Sequence, residues 1–104
     1  MPRYLAWAST IFTQEEQDQI VDVLADNPTI GDVLEGTGGV RKFRFATAGR
    51  GKSGGVRIIY YFHSDRIPLY LIGGFAKNEK ANLTKAERNA LHKWVEIIKT
   101  TIKE

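Results

Sequence analysis

Val40-Arg-Lys-Phe-Arg-Phe45, a glycine-rich linker, and then Val56-Arg-Ile-Ile-Tyr-Tyr-Phe62 form the stretch on which the fold turns. The first run alternates, placing Phe43 and Phe45 on one face of a strand and Lys42 and Arg44 on the other. The second is β-branched and aromatic throughout, the composition of a strand. Leu69 to Phe75 reads as a third strand, in which Gly73 and Gly74 suggest a bulge or a close backbone approach. These three segments predict an antiparallel meander.

Outward from the meander, helix signals flank it on both sides. Thr13-Gln-Glu-Glu16 and Thr84-Lys-Ala-Glu87 both carry the Thr-x-x-Glu spacing of a capping box. The first predicted helix turns Ile20, Val21, Val23 and Leu24 inward and ends at Asn27-Pro28, because proline disfavours helical geometry in the residue before it. The second has Ala90, Leu91, Trp94, Ile97, Ile98 and Ile102 on one stripe. Tyr4 to Ala8 reads as a short opening strand, Ile30 to Leu34 as a further helical turn, and Gly36 to Gly39 as a flexible turn. The prediction is a single α+β domain over residues 1–104. Its small, mainly antiparallel sheet combines an N-terminal strand with the meander, flanked by an N-terminal helical region and a C-terminal helix.

Composition narrows the function. A chain of 104 residues with 42% hydrophobic content supports one core. No segment has the length and apolarity of a membrane span, and the start lacks a secretory signal. The absence of cysteine removes thiol nucleophiles and cysteine-type zinc sites and suits a cytoplasmic protein. The net charge is only +3, but it is segregated. Residues 1–35 hold one base against seven acids, and residues 36–104 hold fourteen bases against five acids. No acid lies between Gly36 and Ser64, where Arg41, Lys42, Arg44, Arg50, Lys52 and Arg57 supply six positive charges. A one-sided basic region with interleaved aromatics attracts polyanions, nucleic acid foremost.

Several chemistries fall to the residue inventory. Ala46 to Ser53 fits a relaxed phosphate-loop pattern, but such a loop needs a helix starting at its Lys-Ser, and here a strand follows. His63 and His92 have no metal-ligand spacing, so no metal and no cofactor are expected. What remains is phosphate chemistry run by cations. RNA is cut without metal when its 2′-hydroxyl attacks the adjacent phosphorus. A base takes the hydroxyl proton, and positive charge stabilises the crowded phosphate. Clustered cations lower one another's proton affinity, which lets a lysine serve as base, and arginine suits the phosphate clamp.

The run Asn27 to Arg44, then Gly49 to Phe62, and Phe75-Ala-Lys-Asn-Glu79 before the lysine-rich last helix resemble the HigB-like branch of the RelE superfamily. The resemblance covers roughly residues 27–100. It implies a RelE-like microbial RNase fold and a toxin of a type II toxin–antitoxin system, acting as a ribosome-dependent, metal-independent endoribonuclease (an mRNA interferase) on translated mRNA. The implied partners are the ribosome, mRNA and a cognate antitoxin of the HigA-like kind with a helix-turn-helix domain, and through it operator DNA. By position, Arg57 matches the arginine placed on the scissile phosphate, Lys42 and Arg44 the basic positions of the preceding strand, and Lys77 and Glu79 the polar cluster after the last strand. Arg41, Arg44, Arg50, Lys52 and Lys80 are the expected RNA contacts. Lys42 is the expected base, with Lys52, Lys77 and Glu79 as alternatives. Two positions depart from the pattern: Asn78 stands where relatives often carry a second arginine, and Leu83 or its neighbours where they carry a tyrosine. Rival readings are a non-catalytic RNA- or ribosome-binding module and an antitoxin-bound transcriptional co-repressor.

Overall fold

The computed structural model describes residues 8–9, 12–46, 55–64, 66, 69–76 and 82–101. Helix α1 spans Gln14–Asp26, followed by β1 (Asp32–Val33), β2 (Val40–Phe45), β3 (Val56–Tyr61), β4 (Tyr70–Ala76) and helix α2 (Lys85–Thr101). The strands form one antiparallel sheet in the order β1-β2-β3-β4. The expected α+β architecture is therefore present.

Both capping boxes form. Thr13 Oγ accepts from the Glu16 amide at 3.1 Å while the Thr13 amide donates to Glu16 Oε1 at 2.9 Å. At α2 the corresponding bonds of Thr84 and Glu87 are 3.1 and 2.8 Å. Each box satisfies two amides that a helix start leaves without partners. Helix α1 stops with Asn27 as its C-cap, ahead of Pro28.

Each face of the sheet carries its own core. On one face Phe43, Val56, Ile58 and Tyr60 pack with Phe12, Ile20 and Leu24, and α1 lies over them. On the other, Val40, Ile59, Tyr61 and Phe75 pack with Val95 of α2. Edge-to-face rings tie both cores, Phe12 to Phe45 at 5.6 Å and Tyr61 to Trp94 at 5.9 Å. Such pairs contribute about 0.5–1.5 kcal/mol beyond the area they bury. Because β3 is covered on both sides from Ile58 to Tyr61, that part reads as a continuous run of apolar and aromatic residues rather than an alternating one.

The structure corrects the sequence reading in several places. Ala8, the end of the expected opening strand, is helical together with Ser9, and residues 4–7 lie outside the described set. Among the described residues the fourth strand is β1, where a helical turn was expected. Its cause is tertiary: the Gly31 amide donates to the Tyr60 hydroxyl at 3.0 Å, and Arg41 Nη1 donates to the carbonyls of Gly31 at 2.7 Å and Thr29 at 3.4 Å. The approach is so close that a Cβ at Gly31 would collide with the Lys42 carbonyl. Asp32 and Val33 are thereby laid against Lys42 and Arg41 of β2.

The turn at Gly36–Gly39 is present and is pinned by a buried Thr37, whose hydroxyl donates to the Leu34 carbonyl at 2.7 Å and accepts from the Val40 amide at 3.1 Å. The irregularity in β4 falls next to Gly73. Ile59 pairs with Gly73 but Tyr60 pairs with Leu71, which leaves Ile72 as the extra residue. On the helices, Val21 and Ile97 are 53% and 63% exposed rather than inward, and Val95 is the buried residue of α2. Ala90 is exposed, and Ile102 is not among the described residues.

Candidate RNA-binding cleft

Strand pairing assembles a cluster of cations from residues that are far apart in the chain. Arg44 stands directly opposite Arg57, and Lys42 opposite Ile59. Side chains alternate along β2 and β3, so Lys42, Arg44 and Arg57 emerge on one face, the face that α2 covers at its other end. Like charges set opposite each other in a sheet repel, so this arrangement costs the sheet stability and favours an anion between them.

Lys42, Arg44 and Arg57 line an open cleft of about 400 Å³ together with Ile30, Gly31, Asp32 and Phe43. Arg44 is exposed, and Lys42 and Arg57 are half-buried, so the stems are held by the sheet and the charged groups reach solvent. Lys42 Nζ donates to Asn82 Oδ1 at 3.4 Å, a bond that spans from β2 to the segment before α2. Arg88 Nη1 donates to the Glu35 carbonyl at 3.2 Å, tying α2 to the turn after β1.

The expected site residues separate into three groups. Lys42, Arg44 and Arg57 come together. Arg41 points to the opposite face, where it holds the carbonyls of Thr29 and Gly31 and lies near the Tyr60 phenol. Arg50, Lys52, Lys77, Glu79 and Lys80 lie outside the described residues. Beyond the phosphate-loop pattern, most of which lies outside the described residues, the chain runs into strand β3. Ile30 and Asp32 line the cleft and Asn82 accepts from Lys42; sequence reasoning missed all three, because no local pattern distinguishes them from ordinary loop residues. Only the pairing of Asp32 with Lys42 gives the signal.

Two tyrosines beneath the sheet surface are electrostatically perturbed. Burial pushes the Tyr60 phenol upward, opposed by the hydrogen bond from Gly31 and by the charge of Arg41. Burial also raises Tyr61, and the Glu96 carboxylate adds to the rise. Tyr61 Oη lies 3.0 Å from His63 Nδ1. Among the described residues no three histidine, aspartate or glutamate side chains are grouped to hold a metal ion, and no helix is long and apolar enough to cross a membrane.

Fold and cleft together define a small α+β domain with a phosphate-suited cationic patch on one sheet face. A family model described as the RelE toxin of the RelE/RelB toxin–antitoxin system matches residues 12–104. The chain belongs to the RelE toxin family. It is thus a toxin of a toxin–antitoxin system, with endoribonuclease as the activity of its class and a cognate antitoxin as partner.

Proposed function

We propose that this toxin is a HigB-like mRNA interferase, which cleaves translated mRNA in the ribosome without a metal ion. The observation that carries the reading is the placement of Arg44, Arg57 and Lys42 in one cleft. Three cations around one phosphate supply what 2′-hydroxyl attack requires. The 2′-oxygen bonds to phosphorus, the bond to the 5′-oxygen breaks, and a 2′,3′-cyclic phosphate and a 5′-hydroxyl result. Arg57 clamps the non-bridging oxygens, Arg44 shares their charge, and Lys42, oriented by Asn82, takes the 2′-hydroxyl proton.

In the same reading Lys77 and Glu79 complete the site, with a proton supplied to the leaving 5′-oxygen. Arg50, Lys52 and Lys80 contact flanking phosphates. Arg41 takes a supporting role, since its guanidinium already serves the loop before β1. The antitoxin is HigA-like, carries a helix-turn-helix domain, and links the toxin to operator DNA. The toxin works in the cytoplasm, where its ribosomal substrate is.

Primer extension on a translated mRNA with purified ribosomes tests this reading. Wild-type protein is expected to cut within codons, and only with ribosomes present. Arg57→Ala is expected to abolish the cuts while retaining the wild-type circular dichroism spectrum. A folded wild type that cuts nothing overturns the nuclease reading.

A further inference from the structure

The cleft has one wall unlike the others. Ile30 is 45% exposed and Asp32 is exposed, and both line the same cleft as the cations. Asp32 pairs with Lys42, so its carboxylate emerges on the cationic face. No ion pair joins it to Lys42 or to any other described residue. An apolar side chain beside an acceptor-only group repels phosphate and suits the other half of a nucleotide, a flat base with donors on its edge.

The sheet register sets the distance. Asp32, Lys42, Ile59 and Gly73 form one cross-strand row, and Arg44, Arg57 and Phe75 form the next. Asp32 is two strands and one row from Arg57, about 10–12 Å between backbones at ordinary strand spacing. A phosphate between Arg44 and Arg57 therefore leaves Asp32 about one nucleotide away, within reach of an adjoining base.

Resting on the reading of this cleft as an RNA-cleaving site, we propose that Ile30 and Asp32 form a base-selecting subsite that takes the nucleotide next to the scissile phosphate and favours guanine over uracil. The face of the base packs on Ile30, and its edge meets the carboxylate. Guanine presents two adjacent donors, N1–H and the N2 amino group, which match the two carboxylate oxygens. Cytosine and adenine each offer an amino group. Uracil offers one N–H between two carbonyl oxygens, which the carboxylate repels.

The test compares wild type, Asp32→Asn and Ile30→Ala by two readouts. The first is the distribution of ribosome-dependent cuts over a long mRNA. The second is fluorescence anisotropy with short RNAs that differ only in one central guanine or uracil. Wild type is expected to favour guanine about tenfold, the lower range for a good base contact. Asp32→Asn is expected to level that preference, so that cuts beside guanine and beside uracil become about equally frequent. Ile30→Ala is expected to weaken binding of both bases. An unchanged cut distribution in Asp32→Asn overturns the inference. So does a uniform fall at every site, which would mark a proton-transfer role. If wild type cuts nothing, the cleavage reading fails by itself. The anisotropy then decides the subsite: a guanine preference lost in Asp32→Asn supports it, and equal binding of the two RNAs overturns it.

Discussion

Arg44 and Arg57 face each other across the β2–β3 ladder, one exposed and one half-buried, with the half-buried Lys42 two residues along β2 on the same face. Two guanidinium groups so placed repel each other, and an anion between them favours the pair. Replacing Arg44 with Thr is therefore expected to raise folding stability by a few tenths of a kcal/mol, about 0.2–1 at most, while weakening RNA binding. Urea denaturation and an RNA-binding titration on the same protein check both signs. A destabilised Arg44→Thr would refute the strain argument.

Lys42 and Asn82 meet at 3.4 Å. If Lys42 transfers the proton, Lys42→Arg keeps the charge but not the chemistry, because a guanidinium does not deprotonate in a protein. Cleavage is expected to drop about 10²-fold or more with RNA affinity unchanged. Asn82→Ala, which leaves the lysine in place without its acceptor, is expected to show a smaller loss. Single-turnover rates and equilibrium binding separate the two effects. A fully active Lys42→Arg would assign the proton to another group.

The Gly31 amide reaches the Tyr60 hydroxyl at 3.0 Å inside the fold. Tyr60→Phe keeps the ring and its edge-to-face contact with Phe43 but leaves that amide without its acceptor. A cost of about 1–3 kcal/mol is expected. Gly31→Ala should cost more, since the Lys42 carbonyl occupies the space. Both variants should also impair cleavage, because β1 forms one wall of the cleft. Thermal melts and the primer-extension assay read the two consequences.

The buried phenols of Tyr60 and Tyr61 give a pH dependence of definite sign. Both titrate higher in the folded chain than their ordinary value of 10.0, so the fold favours their neutral forms. That contribution is fully present below about pH 10. Above it the unfolded chain releases phenolic protons first, and stability falls until pH passes the raised folded values. Denaturant midpoints measured from pH 8 to 11.5 should fall above pH 10, and Tyr61→Phe should flatten the descent. A midpoint that stays level to pH 11.5 would contradict the burial of these phenols.

Thr37 offers a test of the turn that leads into β2. Its hydroxyl serves both the Leu34 carbonyl and the Val40 amide. Thr37→Val is nearly isosteric and removes both bonds, so a loss of about 1–3 kcal/mol is expected. Thr37→Ser keeps the hydroxyl and should recover most of it. Equal stability of Val and wild type would show that water replaces the hydroxyl.

Local patterns carried much of the architecture into view. The two Thr-x-x-Glu boxes, Pro28 and the bounds of β2 could be read from sequence because capping bonds and strand alternation involve neighbours in the chain. The pairing of Lys42 with Arg44 on one face was legible for the same reason. Val21 and Ile97 were misplaced, and the buried Val95 was passed over, because a helix with apolar residues on several sides offers more than one buried stripe, and only the sheet beneath decides which is covered. Arg41 shows the limit most clearly. It sits in the most basic stretch of the chain, yet one residue of alternation carries it to the face opposite Lys42, into hydrogen bonds with Thr29 and Gly31.

The amino-acid order by itself determined two capped helices, three strands, a segregated charge and the identity of the cations, all properties of residues within a few positions of one another. Tertiary structure alone decided that Arg57 stands opposite Arg44, that Asn82 meets Lys42, and that Asp32 joins the sheet instead of a helical turn. The physical reason is that each of these depends on register between strands or on a buried hydrogen bond from a distant residue. The Tyr60 hydroxyl, 29 positions along the chain, holds the Gly31 amide against the sheet, and no local propensity contains that information.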